Sequence, residues 1–257
     1  MERTCARAVD LGLPAVAFTE HADYLTWTVT ASDVDSRFHT LITPDGTLTP
    51  PKLNVDGYLE CLQRCRERFP DLRIISGVEL GEPHWHRDIV SQLIATGGFD
   101  RVLGSLHSLP VGQRFLEMAN LFRQRPAVEV LRDYLAELPD LIESSDAFAV
   151  LAHIDYPIRY WPAQGGPFDP YAFRDEFRHA LRVLADSGRA LEVNTSVPLH
   201  PQIVRWWSEE GGEAVTFGSD AHDPPLIAHG FVEATAMVEA HGFRPGRHPY
   251  DFWRRSG

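Results

Sequence analysis

The sequence predicts an α/β protein whose parallel strands close into a barrel. Three features lead there. Short apolar runs alternate with amphipathic stretches, capping residues punctuate the joins, and nearly every apolar run is followed at once by histidine or carboxylate side chains. With 257 residues, 44% of them hydrophobic, the chain has enough apolar material for one sizeable core, and a single domain over residues 1–257 is expected.

The opening residues through Cys5 and Leu11 form the tail of a helix. The apolar runs that follow are Ala15-Val16-Ala17-Phe18, Arg73-Ile74-Ile75, Val102-Leu103, Ala147 to Leu151, Ala190-Leu191-Glu192-Val193 and Ala214-Val215-Thr216-Phe217. They are short and lack strict alternation, the pattern of parallel strands buried on both faces. Between them, Val55, Leu59, Leu62 and Phe69 recur at helical spacing, as do Val128, Leu131, Leu135 and Leu138, and Phe173, Phe177, Leu181 and Leu184. Asp169-Pro170 supplies an N-cap with a first-turn proline, Pro126 opens the helix before it, and Gly188 and Gly242 stand where left-handed C-caps belong. The stretch from Ala22 to Leu53 keeps no period. It is either a lid or a surface excursion, with Trp27, Phe38 and Leu41 as its packing material.

Periodicity alone does not separate an open doubly wound sheet from a barrel, but the polar strand ends do. They are Thr19-Glu20-His21, Gly77-Val78-Glu79, Gly104-Ser105-Leu106-His107, Leu151-Ala152-His153, Glu192-Val193-Asn194 and Gly218-Ser219-Asp220-Ala221-His222. In a parallel barrel all strand C-termini open onto one face, so these side chains would converge. A lone strand-end histidine is usually a hydrogen-bonded core or surface residue. His21, Glu79, His107, His153, Asp220 and His222 at equivalent positions form instead a nitrogen and oxygen donor set without thiolates, which suits zinc, manganese or iron. Gathering that many ionisable groups without a cation would be costly.

A net charge of −12 argues against a nucleic-acid partner, which requires a basic surface. Lys52 is the sole lysine among 24 basic side chains. Cys5, Cys61 and Cys65 are an odd set, and the last two are one helical turn apart, unlike a Cys-x-x-Cys motif; they are expected to be reduced, buried and inert. The chain opens MERTCARAVDLGL, without a continuous apolar segment, and nowhere approaches the roughly 18 apolar residues of a membrane span. A cytoplasmic location is expected.

The blocks Ala17-Phe18-Thr19-Glu20-His21, Gly77-Val78-Glu79-Leu80, Gly104-Ser105-Leu106-His107, Ala152-His153-Ile154-Asp155-Tyr156, Leu191-Glu192-Val193-Asn194-Thr195-Ser196 and Gly218-Ser219-Asp220-Ala221-His222 occur here in sequence order. In this the chain resembles the PHP (polymerase and histidinol phosphatase) family, and most of all its histidinol-phosphatase branch, from about Ala8 to about Gly242. The resemblance implies a distorted (β/α)7, TIM-like barrel with up to three divalent metal ions at the strand C-termini. It also implies hydrolysis of a small-molecule phosphate ester. One metal site would be completed by Glu79, His107 and His153, with Glu79 bridging to a second that keeps Asp220; a third would keep His21 and His222. Arg159 would grip phosphate, and Asp220 would orient the nucleophile and relay a proton.

Family members begin with a strand ending in His-x-His, and that first βα unit, about 30 residues, is largely absent from these 257 residues. His84-Trp85-His86 has the same spacing but lies on the wrong side of Glu79 to replace it. The missing pair leaves three possibilities open. The chain is a histidinol-phosphate phosphatase of histidine synthesis impaired by that loss, a phosphoesterase acting on nucleotides or oligonucleotides, or an inactive relative that binds a metal or a phosphorylated metabolite.

Overall fold

The computed structural model describes residues 1–30 and 36–255. Helix α1 (Glu2–Asp10) leads into β1 (Ala15–Ala22), and then come β2 (Trp27–Thr28), β3 (Thr47–Leu48), α2 (Val55–Arg68), β4 (Arg73–Gly81), α3 (Arg87–Gly97) and β5 (Arg101–Ser105). A hairpin of β6 (Ser108–Val111) and β7 (Arg114–Glu117) precedes α4 (Met118–Gln124) and α5 (Ala127–Glu143). The chain continues through β8 (Val150–Leu151), α6 (Arg174–Asp186), β9 (Ala190–Asn194), α7 (Pro201–Glu209), β10 (Ala214–Gly218), α8 (Phe231–Ala240), β11 (Phe243–Arg244) and β12 (Trp253–Arg255).

The main sheet runs β1-β4-β5-β8-β9-β10-β12-β11. Its first six strands are parallel, and each coincides with an apolar run picked out in the sequence. Every strand C-terminus therefore opens toward one end. Helices cover the outside through their apolar stripes: in α5, Val130, Leu131, Tyr134, Leu135, Leu138 and Ile142 are buried together with Phe177, Leu181 and Leu184 of α6. Burying each such side chain contributes about 1.5–3 kcal/mol. Gly188 takes a positive φ of 72° beyond α6, as expected, and Asn54, which the sequence pattern did not single out, caps α2 by accepting from Gly57 N at Oδ1. Asp169 caps a 3-10 turn over Pro170–Phe173 that runs into α6.

The ring of strands is not sealed. Among the described residues β1 pairs only with β4, and a cleft of about 520 Å³ separates its outer edge from β10. This explains why β1, apolar like the others, is only half-buried, whereas β4 is buried along nearly its whole length. The edge of β10 is partly covered. β12 runs antiparallel against Ala214 and Val215, a strand invisible in the sequence because its three residues, Trp253-Arg254-Arg255, carry two charges and no alternation.

The segment from Ala22 to Leu53 is more regular than a loose surface excursion, since it contributes two strands. Trp27 pairs with Leu48 antiparallel and with Phe115 parallel, so β2 and β3 join the β6–β7 hairpin in a small sheet of order β3-β2-β7-β6. Two-residue strands are too short to leave a period. Part of the segment, residues 31–35, lies outside the described residues. Phe38 and Leu41 are exposed, while Val29 and Leu48 are buried. All three cysteines are free; Cys5 and Cys65 are buried as expected, whereas Cys61 is only half-buried, and burial together with Cys65 pushes the Cys5 thiol up to about 12.

Candidate metal centre

Six sequence-derived donors meet at the open end of the sheet. Glu79 lies near the C-terminal end of β4, where its carboxylate reaches three imidazoles. Oε1 is 2.8 Å from His153 Nε2 and 3.3 Å from His107 Nε2, while Oε2 is 3.7 Å from His21 Nδ1. Around a tetrahedral ion with ligands at about 2.1 Å, neighbouring donor atoms stand about 3.4 Å apart. The spacings of 2.8 and 3.3 Å straddle that value, and one donor atom from each of Glu79, His107 and His153 lies within 4.8 Å of the other two. All three residues are buried. The donor set and its spacing therefore fit a divalent ion.

The sequence missed Asp23. It follows His21 by two residues, which on a strand places both on one face. Its Oδ2 is 3.3 Å from His21 Nδ1 and its Oδ1 is 3.5 Å from His107 Nδ1. His107 thus turns one ring nitrogen to Glu79 and His153 and the other to Asp23. A carboxylate behind a metal-ligating histidine fixes the ring and its tautomer, and His21, Asp23 and His107 also form a compact donor group of their own. Gly81 makes room for it, because a Cβ there would meet Asp23 Oδ1.

Titration behaviour supports the same arrangement. Burial opposes ionisation of Glu79, yet His21, His107 and His153 hold its carboxyl well below the usual carboxylate range. Burial likewise opposes charge on His107, but Asp23 and Glu79 raise it well above an ordinary imidazole. An imidazole binds a metal ion in its neutral form, so metal entry must displace any proton held on these rings.

His222 and Asp220 lie on the cleft side. The rings of His222 and His21 are 5.7 Å apart, and Asp220, in a left-handed conformation at φ 51°, turns the chain after β10. Asp220 Oδ2 is 2.5 Å from Arg159 Nη2. Against the cost of burial, Arg159 keeps Asp220 below the ordinary aspartate range. Arg159 stands on a 3-10 turn, Tyr156–Tyr160, with its guanidinium 5.0 Å from the centre of the Tyr156 ring. His84 and His86 stay apart from this group, as their sequence position suggests. His84 Nε2 is 2.9 Å from Glu137 Oε1, and His86 lies beside Tyr24 at the start of α3.

Residues 1–196 match the PHP domain. This chain belongs to the PHP family. The histidinol-phosphatase of Lactococcus lactis subsp. lactis is 25% identical over 244 residues, 92% of this chain and 83% of that protein. A probable histidinol-phosphatase of Thermotoga maritima is 34% identical over 163 residues, 61% of this chain and 62% of its own length. Among solved structures, the histidinol phosphate phosphatase of Lactococcus lactis, complexed with zinc, L-histidinol and phosphate, superposes with a TM-score of 0.75 at 22% identity, covering 94% of this chain and 87% of that one. The fold is shared with that enzyme. Among the described residues no helix is long and apolar enough to cross a membrane.

Proposed function

We propose that this PHP protein is a metal-dependent phosphomonoesterase whose substrate is L-histidinol phosphate, acting in cytoplasmic histidine synthesis. The observation that carries this is the buried Glu79, His107 and His153 group, whose donor spacing matches one ion, in a chain whose relatives over 92% of its length include a histidinol-phosphatase. Glu79, His107 and His153 would hold the firm ion, with His21, Asp220 and His222 contributing to others toward the cleft. Bound divalent ions lower the pKa of water and neutralise phosphate oxygens.

The chain's own side chains divide the remaining work. Asp220, kept ionised by Arg159, stands beside the donor group as the acceptor for a proton leaving the attacking water. Arg159, held over Tyr156, presents a fork that can take two phosphate oxygens in parallel hydrogen bonds while keeping one edge on Asp220. The acidic chain, with a net charge of −12, fits a small phosphate ester better than a nucleic acid.

Two measurements test the proposal. Phosphate release should be faster from L-histidinol phosphate than from nucleoside monophosphates or a short oligonucleotide, and the reverse order would overturn the substrate assignment. Arg159→Ala should raise KM about 10–100-fold, the effect of losing a charge-assisted bond of about 1.5–3 kcal/mol. An unchanged KM accompanied by loss of metal would mean that Arg159 serves only to hold Asp220.

A further inference from the structure

Two histidines of the metal centre share a backbone problem. β5 ends at Ser105 and β8 at Leu151, so the amides of His107 and His153 have left the sheet ladder while still buried. In each case the amide is taken by a buried carboxylate from the strand next door. Glu82 Oε1 accepts from His107 N at 2.7 Å and from Ser108 N at 2.9 Å. Glu192 Oε2 accepts from His153 N at 3.0 Å and from Asn194 Nδ2 at 3.1 Å. In the order β4-β5-β8-β9, the outer pair of strands thus holds the histidines of the inner pair.

Other features show that these carboxylates are built in. Glu82 is fully buried just beyond β4 in a left-handed conformation at φ 44°, which a β-carbon-bearing residue adopts at a cost. Its own amide donates to Ser105 O at 2.9 Å, continuing the β4–β5 ladder by one step. Glu192 lies against Gly218, where any side chain would collide with it, since a Cβ would come 2.0 Å from Oε1. Both carboxylates act on the backbone amide of their histidine, not through its ring.

We infer that Glu82 and Glu192 are positioning residues of the metal centre, each fixing the main chain of one ligating histidine so that its ring nitrogen stands at metal-binding distance from Glu79. The inference rests on the proposal that Glu79, His107 and His153 hold an ion. Its central requirement is a hydrogen-bond acceptor at this place, not a negative charge. A glutamine can supply that acceptor, whereas alanine cannot.

Zinc affinity, measured by competition with a chromophoric chelator on the whole chain, tests it. Glu82→Ala and Glu192→Ala should weaken zinc binding about 10–100-fold, while Glu82→Gln and Glu192→Gln should stay within about threefold of the parent. Because alanine strands buried amides and could unfold the chain, Gly218→Ala provides an independent route. It removes no polar group but displaces the Glu192 carboxylate, and it should weaken zinc binding as Glu192→Ala does. Folding of each variant is checked by circular dichroism. Alanine variants that fold and bind zinc like the parent would overturn the inference, as would glutamine variants as weak as the alanine ones. Failure of the parent chain itself to bind zinc would instead defeat the proposed metal centre.

Discussion

Glu79→Ala should strip the chain of its firmly held ion and reduce phosphatase turnover about 1000-fold. One oxygen of this carboxylate is within 3.3 Å of the Nε2 atoms of both His107 and His153, and the other is 3.7 Å from His21. Among the described residues no other carboxylate is placed to serve the same three rings. Asp23 faces the opposite nitrogen of His107, and Asp220 is engaged by Arg159. Removing Glu79 leaves neutral imidazoles alone to hold a dication, and the loss should exceed the about 10–100-fold typical of altering an outer partner. Several kcal/mol of charge stabilisation then disappear from the transition state, and at 1.4 kcal/mol per decade that gives about three decades of rate. Elemental analysis after dialysis should find about one zinc per parent chain and none in the variant. A variant that keeps a full equivalent would place the firm site elsewhere.

What the sequence revealed and what it hid have physical causes. The six parallel strands and their polar ends were legible because burial on both faces forces a continuous apolar run, and because chemistry in a parallel sheet sits where the run stops. His21, Glu79, His107, His153, Asp220 and His222 could be found by that rule without any knowledge of distance. Asp23 could have been found by strand alternation from His21, but the apolar run had already ended and nothing marked the strand as continuing through Ala22. Glu82 and Glu192 were harder. A carboxylate that binds a backbone amide has no partner residue type to look for, and only the fold shows which amides have left the ladder. The small sheet was hidden for a related reason, since β2 and β3 are held by pairing across the chain and not by a local pattern.

The largest gain should come from lengthening the chain at its N-terminus by a βα unit whose strand ends in His-x-His. Such a form is expected to hold two or three ions where the 257-residue chain holds one firmly, and to turn over substrate faster by orders of magnitude. The cleft between β1 and β10 is where that strand is expected to insert. The outer edge of β1 has no partner among the described residues, and β12 reaches only Ala214 and Val215 of β10, leaving Thr216 to Gly218 beside the cleft. Open strand edges with apolar neighbours invite association between molecules, so the longer form should also be the more soluble. The chemistry points the same way. Histidines at alternate positions of a strand share one face, and from the cleft they would approach Glu79, Asp220, His21 and His222, all of which line it. Neither histidine of the His84-Trp85-His86 run is placed to substitute, since His84 is bound to Glu137 and His86 lies against Tyr24. Metal content, monodispersity and turnover of the two forms should therefore rise together. If the 257-residue chain is already monodisperse, retains three ions through dialysis and matches the longer form in rate, the cleft is not a strand site and the second and third ions are held by residues already present.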